Sequence, residues 1–419
     1  MAGPYHVEDE HGPRTHHAVL RLPVITKQPP VRPEDLARWA EADRTARPRR
    51  LERLRAKMAE AGVDAYFGVR RENTRYLTGF ILGDSEEKAA GNSGWFLVTP
   101  DEVVVLADSR YAEQAAAECP DVRIADVYHD LPARWPDLAA GRRRVAAEAG
   151  FIAQATWARL VAAAPSVELV PIEGWVEAGR AVKEPEEIER IAAACAVADA
   201  ALEALLPQIR PGVTEAELAL ALEWAMRTSG AEALAFDVAV LAGPRAALPH
   251  GSPGARQVAA GQVLLFDFGA QVAGYRSDMT RTLFVGEPTT RDLELYRLVA
   301  TAQQAALDAL SEAAGKGRSP SGLSIDGIAR AVIEGAGHGP HFGHGLGHGI
   351  GLATHELPTL GKRAGDEPLP TPTVFSVEPG VYLPGETGVR IEDLVVFDRA
   401  ASRLARLTRF PREVTVVGA

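Results

Sequence analysis

The sequence predicts a two-domain α+β protein, and three observations carry that reading. Its 419 residues exceed what one hydrophobic core usually serves. Up to about Arg180, helical and strand periods alternate. Beyond Phe236, strand-like runs, glycines, histidines and isolated carboxylates dominate. The chain divides into an arm at residues 1–34, a small α/β domain at residues 35–180 and a larger domain at residues 181–419. No solenoid-length repeat is visible.

The arm places His6, His11, His16 and His17 among prolines and charges and lacks the apolar core of a signal peptide. It reads as flexible, with metal binding at His16-His17 as the alternative. In residues 50–62, Leu51, Leu54, Met58 and Ala61 recur at three- and four-residue spacing, the pattern of an amphipathic helix. Short β-rich runs follow at residues 65–69, 95–98 and 103–106, with Pro100-Asp101-Glu102 turning the chain between the last two. Residues 110–118 are helical again. Nothing in this part gathers a catalytic cluster, so it reads as a supporting or gating domain. A long helix then opens near Pro185 and runs to about Leu206, its acidic first turn matching the positive end of the helix dipole. Thr214 is the N-cap of a further helix reaching about Ser229.

Apolar residues at 46% and charged residues at 24% are ordinary for a soluble domain and exclude disorder and collagen-like structure. Lys plus Arg number 45 against 56 Asp plus Glu, and the resulting charge of −11 argues against a nucleic-acid partner. The basic runs Arg47-Pro48-Arg49-Arg50 and Arg142-Arg143-Arg144 read as solvated helix face or loop. Cys119 and Cys195 have no close partner in sequence, which rules out a disulfide framework and suits a reducing, cytoplasmic compartment. No apolar stretch reaches the roughly 20 residues of a membrane span.

The chemistry concentrates in the second domain. An apolar strand runs into Asp267, a turn lies near Ala273-Gly274, and a second strand carries Asp278. Residues facing each other across a hairpin hold their Cβ atoms about 4.5–5.5 Å apart. Two bare carboxylates at that range repel, and a bridging pair of divalent cations removes the conflict. Taken alone, both could equally be ordinary strand-end residues. His344-Gly345-Leu346-Gly347-His348 has the histidine spacing of a helical zinc motif, but its glycines forbid a stable helix. It reads as backbone approaching a ligand closely, or as an exposed loop. Glu378 ends an apolar run before Pro379-Gly380, and Glu392 lies inside a strand with Arg390 on the same face. Each glutamate alone is commonly a surface or salt-bridged residue, and the weight comes from the set. Four carboxylates and an imidazole would make an oxygen-rich site for two ions such as Mn²⁺, with Co²⁺, Zn²⁺ or Fe²⁺ as rivals.

At these residues the sequence resembles the creatinase/prolidase-type, or pita-bread, metallopeptidases, which include proline dipeptidase and aminopeptidase P. The likeness runs from about residue 35 to the end. It is less specific at Tyr76-Leu77-Thr78-Gly79-Phe80 and Asp108-Ser109-Arg110-Tyr111 and highly specific in five C-terminal blocks. The resemblance implies a curved antiparallel sheet flanked by helices, an N-terminal domain bordering the cleft, and a homodimer or homotetramer. It implies Asp267, Asp278, His348, Glu378 and Glu392 as metal ligands. It also implies His250, His344 and His355 as substrate-binding and proton-transfer residues, with Arg390 beside the last ligand. The substrate would be a peptide with proline in the second position, attacked by a water whose pKa two metals lower to about 7. Glu378 would also handle the proton, His355 would stabilise the oxyanion, and Tyr382 and Arg390 would shape the far side of the pocket. A metal-free creatinase-like hydrolase, methionine aminopeptidase and a non-catalytic binding protein on the same fold are the competing readings. The complete ligand set and the extra N-terminal domain count against them. Xaa-Pro dipeptidase is preferred to Xaa-Pro aminopeptidase on the compactness of that domain. His338 and His341, upstream of the histidine block, have no counterpart in the family pattern and could alter access to the cleft.

Overall fold

The computed structural model describes residues 31–83, 90–128 and 130–418. The arm up to residue 30, with His6, His11, His16 and His17, lies outside the described residues.

The first domain runs α1 (Pro33–Ala61), β1 (Ala65–Gly68), α2 (Arg71–Thr78), β2 (Phe96–Val98), β3 (Val103–Ala107) and α3 (Ala112–Glu118). It continues through β4 (Arg123–Asp126), α4 (Leu131–Leu138), β5 (Arg144–Glu148), α5 (Gln154–Ala163), β6 (Glu168–Ile172) and α6 (Trp175–Ala181). Its six strands form one mixed sheet in the order β4-β3-β2-β1-β5-β6, antiparallel through β1, β2 and β3 and parallel at both flanks. Helix α1 starts well before the predicted residue 50. Pro33 occupies its first turn, and Asp35 accepts from both the backbone N–H and the guanidinium of Arg32.

The Arg47–Arg50 run is not simply a solvated face. Arg50 is buried, donating to Glu184 at 2.7 Å and to the Tyr76 carbonyl at 3.2 Å. A local charge pattern could not show that another helix start would close over it.

The second domain opens with α7 (Pro185–Leu205), α8 (Glu215–Thr228), β7 (Ala233–Leu234), β8 (Ala239–Ala242), β9 (Gln262–Phe268), β10 (Ala270–Val272), β11 (Tyr275–Arg276) and β12 (Met279–Val285). Helices α9 (Thr290–Gly315) and α10 (Gly322–Gly335) follow. Then come β13 (Gly347–Gly349), β14 (Glu356–Leu360), β15 (Thr373–Val377), β16 (Gly380–Leu383), β17 (Thr387–Arg390), β18 (Asp393–Asp398), β19 (Arg403–Arg406) and β20 (Val416–Val417). Two sheets do most of the work, β20-β12-β9-β8 and β14-β13-β15-β18-β19. Pairing is antiparallel except between β12 and β20. Thr214 caps α8 as the sequence predicts, its hydroxyl accepting from the Glu217 N–H at 3.2 Å while Glu217 answers the Thr214 N–H at 2.8 Å.

Among the described residues one helical stretch, Pro185–Gln208, is long and apolar enough to cross a membrane by length and composition, contrary to the sequence expectation. Its apolarity has an internal use. Ala194, Ala198 and Leu202 share a core with Leu264 and Phe266 of β9, while Ile191 and Cys195 join a second core with Tyr66 and Phe96 of the first domain. Helix α9 covers the other side, with Leu295, Val299 and Ala306 packed among Phe375, Val377 and Val395. The two sheets are thereby held with their strand ends facing one cavity.

Candidate metal centre

The β9–β12 hairpin brings in the first two carboxylates. Its register pairs Thr280 with Asp267 and Met279 with Phe268, and the same register continues through β10 and β11 to a two-residue turn. Ala273 and Gly274 in that turn both have positive φ, 47° and 85°, as the tight hairpin turn that follows strand twist requires. The residue opposite Asp267 is therefore Thr280, and the expected direct opposition of Asp267 and Asp278 does not occur. Asp278 lies in the gap between β11 and β12, two residues before Thr280 and hence on the same face.

His348 is the middle residue of β13 and Gly347 and Gly349 flank it, so no helix forms. A Cβ at Gly347 would meet the Ser376 carbonyl oxygen at 1.9 Å, and one at Gly349 would meet the Leu357 carbonyl oxygen at 2.1 Å. These glycines serve contact between neighbouring strands, and Gly347 also lines the cavity beside His348. Nδ1 of His348 faces its neighbour's carbonyl at 3.1 Å. That leaves Nε2 facing Glu378 Oε1 at 3.3 Å and Asp278 Oδ2 at 3.7 Å. Glu378 follows β15 directly, and the Ser376 hydroxyl donates to it at 3.0 Å. Glu392 is not inside a strand: it sits in the break where the chain leaves β17 for β18, between two different sheets. The Thr280 hydroxyl donates to Glu392 at 2.7 Å and accepts from Arg390 Nε at 2.8 Å.

One ligand atom each from Asp278, His348 and Glu392 lies within 4.8 Å of the others. Asp267 and Glu378 line the same cavity, about 400 Å³ in volume. Buried Asp278 Oδ1 and Glu392 Oε1 have no hydrogen-bond partner among the described residues. Burial, then Glu392, Asp267 and Glu378, drive the Asp278 carboxyl well above the usual range. Burial, then Glu378 and Asp267, push Glu392 up to about 8. Burial would raise Glu378 as well, but His348, His344 and Arg390 hold it down to about 2. His348 rises to about 9 because Glu378 and Glu392 outweigh its burial. One imidazole and one guanidinium cannot neutralise four carboxylates, of which Asp278 and Glu392 are buried and Asp267 and Glu378 half-buried. Orphaned oxygens, mutual repulsion and an oxygen-rich donor set with one imidazole fit a divalent cation of hard or borderline character.

Of the other predicted residues, His250, His344, His355 and Arg390 also line the cavity. The His355 ring lies 4.1 Å from that of His348, centroid to centroid. His344 Nδ1 faces the Gly345 carbonyl at 2.8 Å, and its Nε2 lies 2.8 Å from the Tyr382 hydroxyl. Arg390 donates to that hydroxyl at 2.8 Å and also to Asp267. Tyr382 thus stands behind His344 and Arg390 instead of lining the cavity. Its burial pushes the phenol up to about 12, and burial lowers both His344 and His355. His338 and His341 sit side by side, Nδ1 to Nδ1 at 3.3 Å, and do not line the cavity. Phe236 and Thr354 line it without having been singled out as site residues, and no local motif marks either.

Fold and centre together define a two-domain metallopeptidase. Residues 189–399 match the metallopeptidase family M24 and residues 50–182 the creatinase/prolidase N-terminal domain. The chain belongs to the M24 metallopeptidases. It is 38% identical over 247 residues to the Xaa-Pro dipeptidase of Pyrococcus furiosus, spanning 59% of this chain and 68% of that one. Among solved structures, the Xaa-Pro dipeptidase from Bacillus anthracis is 33% identical, with a TM-score of 0.79 over 88% of this chain and 99% of its own. The X-Pro aminopeptidase from Thermotoga maritima is 35% identical, with a TM-score of 0.76 over the same shares.

Proposed function

We propose that this enzyme hydrolyses the Xaa-Pro bond of dipeptides and short peptides, as a dinuclear-metal Xaa-Pro dipeptidase. One observation carries the reading: Asp278, His348 and Glu392 converge with buried, unpartnered oxygens in a cavity walled by three further histidines. Asp267, Asp278, His348, Glu378 and Glu392 hold two divalent ions, with Mn²⁺ favoured by the four carboxylates and Co²⁺, Zn²⁺ or Fe²⁺ as rivals. Bound ions of this kind supply Lewis acidity and lower the pKa of water to about 7.

The side chains of this chain do the rest. Glu378 Oε1, held by the Ser376 hydroxyl, takes and returns the proton. His355 donates a hydrogen bond to the substrate carbonyl oxygen as negative charge develops there. His250 and His344 orient the peptide, and His250 moves a proton to the departing proline nitrogen, a tertiary amide without N–H. If His344 Nδ1–H donates to the Gly345 carbonyl, Nε2 is left to accept the Tyr382 hydroxyl proton, and Tyr382 accepts in turn from Arg390. In this reading residues 35–180 border the cleft, residues 181–419 carry the centre, and the enzyme acts in the cytoplasm as a homodimer or homotetramer.

The test offers Mn²⁺-loaded protein Gly-Pro and Gly-Pro-X peptides side by side. Cleavage of Gly-Pro alone supports the dipeptidase. Cleavage of the longer peptides moves the assignment to Xaa-Pro aminopeptidase, the reading favoured by the likeness to the Thermotoga maritima structure. Cleavage of neither sinks both.

A further inference from the structure

Glu215 stands in the first turn of α8, fully buried, and its carboxylate is spent on a loop far along the chain. Oε1 accepts from the Ala242 N–H at 2.8 Å, where the chain leaves β8. Oε2 accepts from the Gly254 N–H at 3.0 Å, where the same loop turns back toward β9. The Arg245 guanidinium spans both oxygens, with Nε at 3.1 and 3.0 Å, and its Nη2 donates onward to the Ser252 carbonyl at 2.5 Å. Three points of one loop, Ala242, Arg245 and Gly254, therefore converge on a single carboxylate, and Arg245 ties in Ser252. Between them, Pro249 and His250 line the metal cavity.

We propose that Glu215 is a positioning residue, which with Arg245 clamps the 242–254 loop and so fixes the His250 imidazole against the substrate. This rests on the role given above to His250. Charge-assisted hydrogen bonds to a buried carboxylate are the strong kind, and each loses its partner if the acceptor changes. In Glu215→Gln the new amide NH₂ faces a donor on whichever side it lies, because N–H groups surround both oxygens. The side chain keeps its shape while the clamp opens at one end.

The experiment uses metal-loaded enzyme and Gly-Pro, comparing Glu215→Gln, His250→Ala and the double variant. Amide hydrogen exchange across residues 242–254 is followed in parallel. Glu215→Gln lowers kcat/KM by roughly ten- to a hundredfold, the range expected for a displacement of about 1 Å. In the His250→Ala background it costs less than about twofold, because the positioned group is gone. The loop amides exchange faster while the sheet amides hold. Equal losses in both backgrounds, or unchanged exchange in the loop, overturn the proposal. Should Glu215→Gln not fold, Arg245→Met opens the same clamp from its partly exposed side, with the same expected coupling to His250→Ala. Full activity in His250→Ala overturns the role of that histidine and any catalytic consequence of the clamp. The exchange comparison still supports or overturns the clamp itself, even if the enzyme cleaves neither peptide.

Discussion

Glu392 and Asp393 are chain neighbours, both buried, and opposite in kind. Asp393 is saturated: Arg281 and Thr408 donate to one oxygen at 2.8 and 2.6 Å, and Gln303 donates to the other at 3.1 Å. Arg406 and Arg412 lie within 4 Å. Glu392 has one hydroxyl donor on Oε2 and, among the described residues, nothing on Oε1. A buried carboxylate that fastens a fold is surrounded by fixed donors. One that awaits a cation keeps an oxygen free and suffers its like-charged neighbours. The break between β17 and β18 turns one residue toward each environment.

Removing each carboxylate is the sharpest test of that contrast. Glu392→Ala strips metal and lowers kcat/KM at least a thousandfold, about 4 kcal/mol of transition-state stabilisation. Above pH 8, where Glu392 is ionised, the metal-free variant melts no lower than metal-free wild type, because a repelling charge has gone. Elemental analysis and a melting curve read both outcomes, and retained metal with retained activity would break the comparison. Asp393→Ala does the reverse. Unpairing buried Arg281 costs about 3–5 kcal/mol of stability, read by urea denaturation. If Asp393→Ala proves harmless to the fold, saturation is not what distinguishes the pair.

Metal titration gives a smaller effect. At a free concentration a hundred times Kd, Mn²⁺ stabilises the wild type by about 2.7 kcal/mol. Glu392→Ala should show no such rise in melting temperature, and Asp393→Asn should still show it. An equal rise in Glu392→Ala would place the ion elsewhere.

An effect confined to acid pH concerns Glu356, a saturated carboxylate like Asp393. Its burial would raise it, but Arg180 and Lys183 outweigh that and bring it to about 2. A depressed folded-state pKa contributes stability that is complete above the ordinary value of 4.5 and is lost as pH falls toward 2. Glu356→Gln should flatten the stability profile across that window while leaving its shape near neutrality unchanged. An unaltered acid limb would show that the pair with Arg180 and Lys183 contributes nothing.

The sequence made legible what is local. Thr214 and Glu217 sit three apart and cap α8, and the glycines around His348 exclude a helix, as the structure bears out. The M24 family and the two-domain fold could be recognised from motif order alone. What escaped depends on partners remote in the chain. The alternation of Val389, Arg390, Ile391 and Glu392 lapses at Asp393, but that lapse alone does not show that the strand ends at Arg390 and the chain resumes in another sheet. Arg50 looked like part of a basic surface run until α7 supplied Glu184. Glu215 carries no local mark, since its hydrogen-bond partner Ala242 lies 27 residues further along the chain. The opposition of Asp267 and Asp278 failed by two residues because the turn at Ala273-Gly274 fixes the register from the hairpin tip.

The same break at Glu392 has a consequence for how the molecule is assembled. Asp267 and Asp278 leave the ribosome on one hairpin, but Glu392 emerges only after α9, α10 and most of the second sheet. Closing so long a loop carries an entropy cost that local pairing does not repay, so contacts of this kind form late. The hairpin can fold with its carboxylates still open to water, and only docking of the second sheet buries them together. If these residues hold the ions as proposed, metal capture belongs to the last stage of maturation, and a cell short of the ion would accumulate a folded but unloaded enzyme instead of a misfolded one.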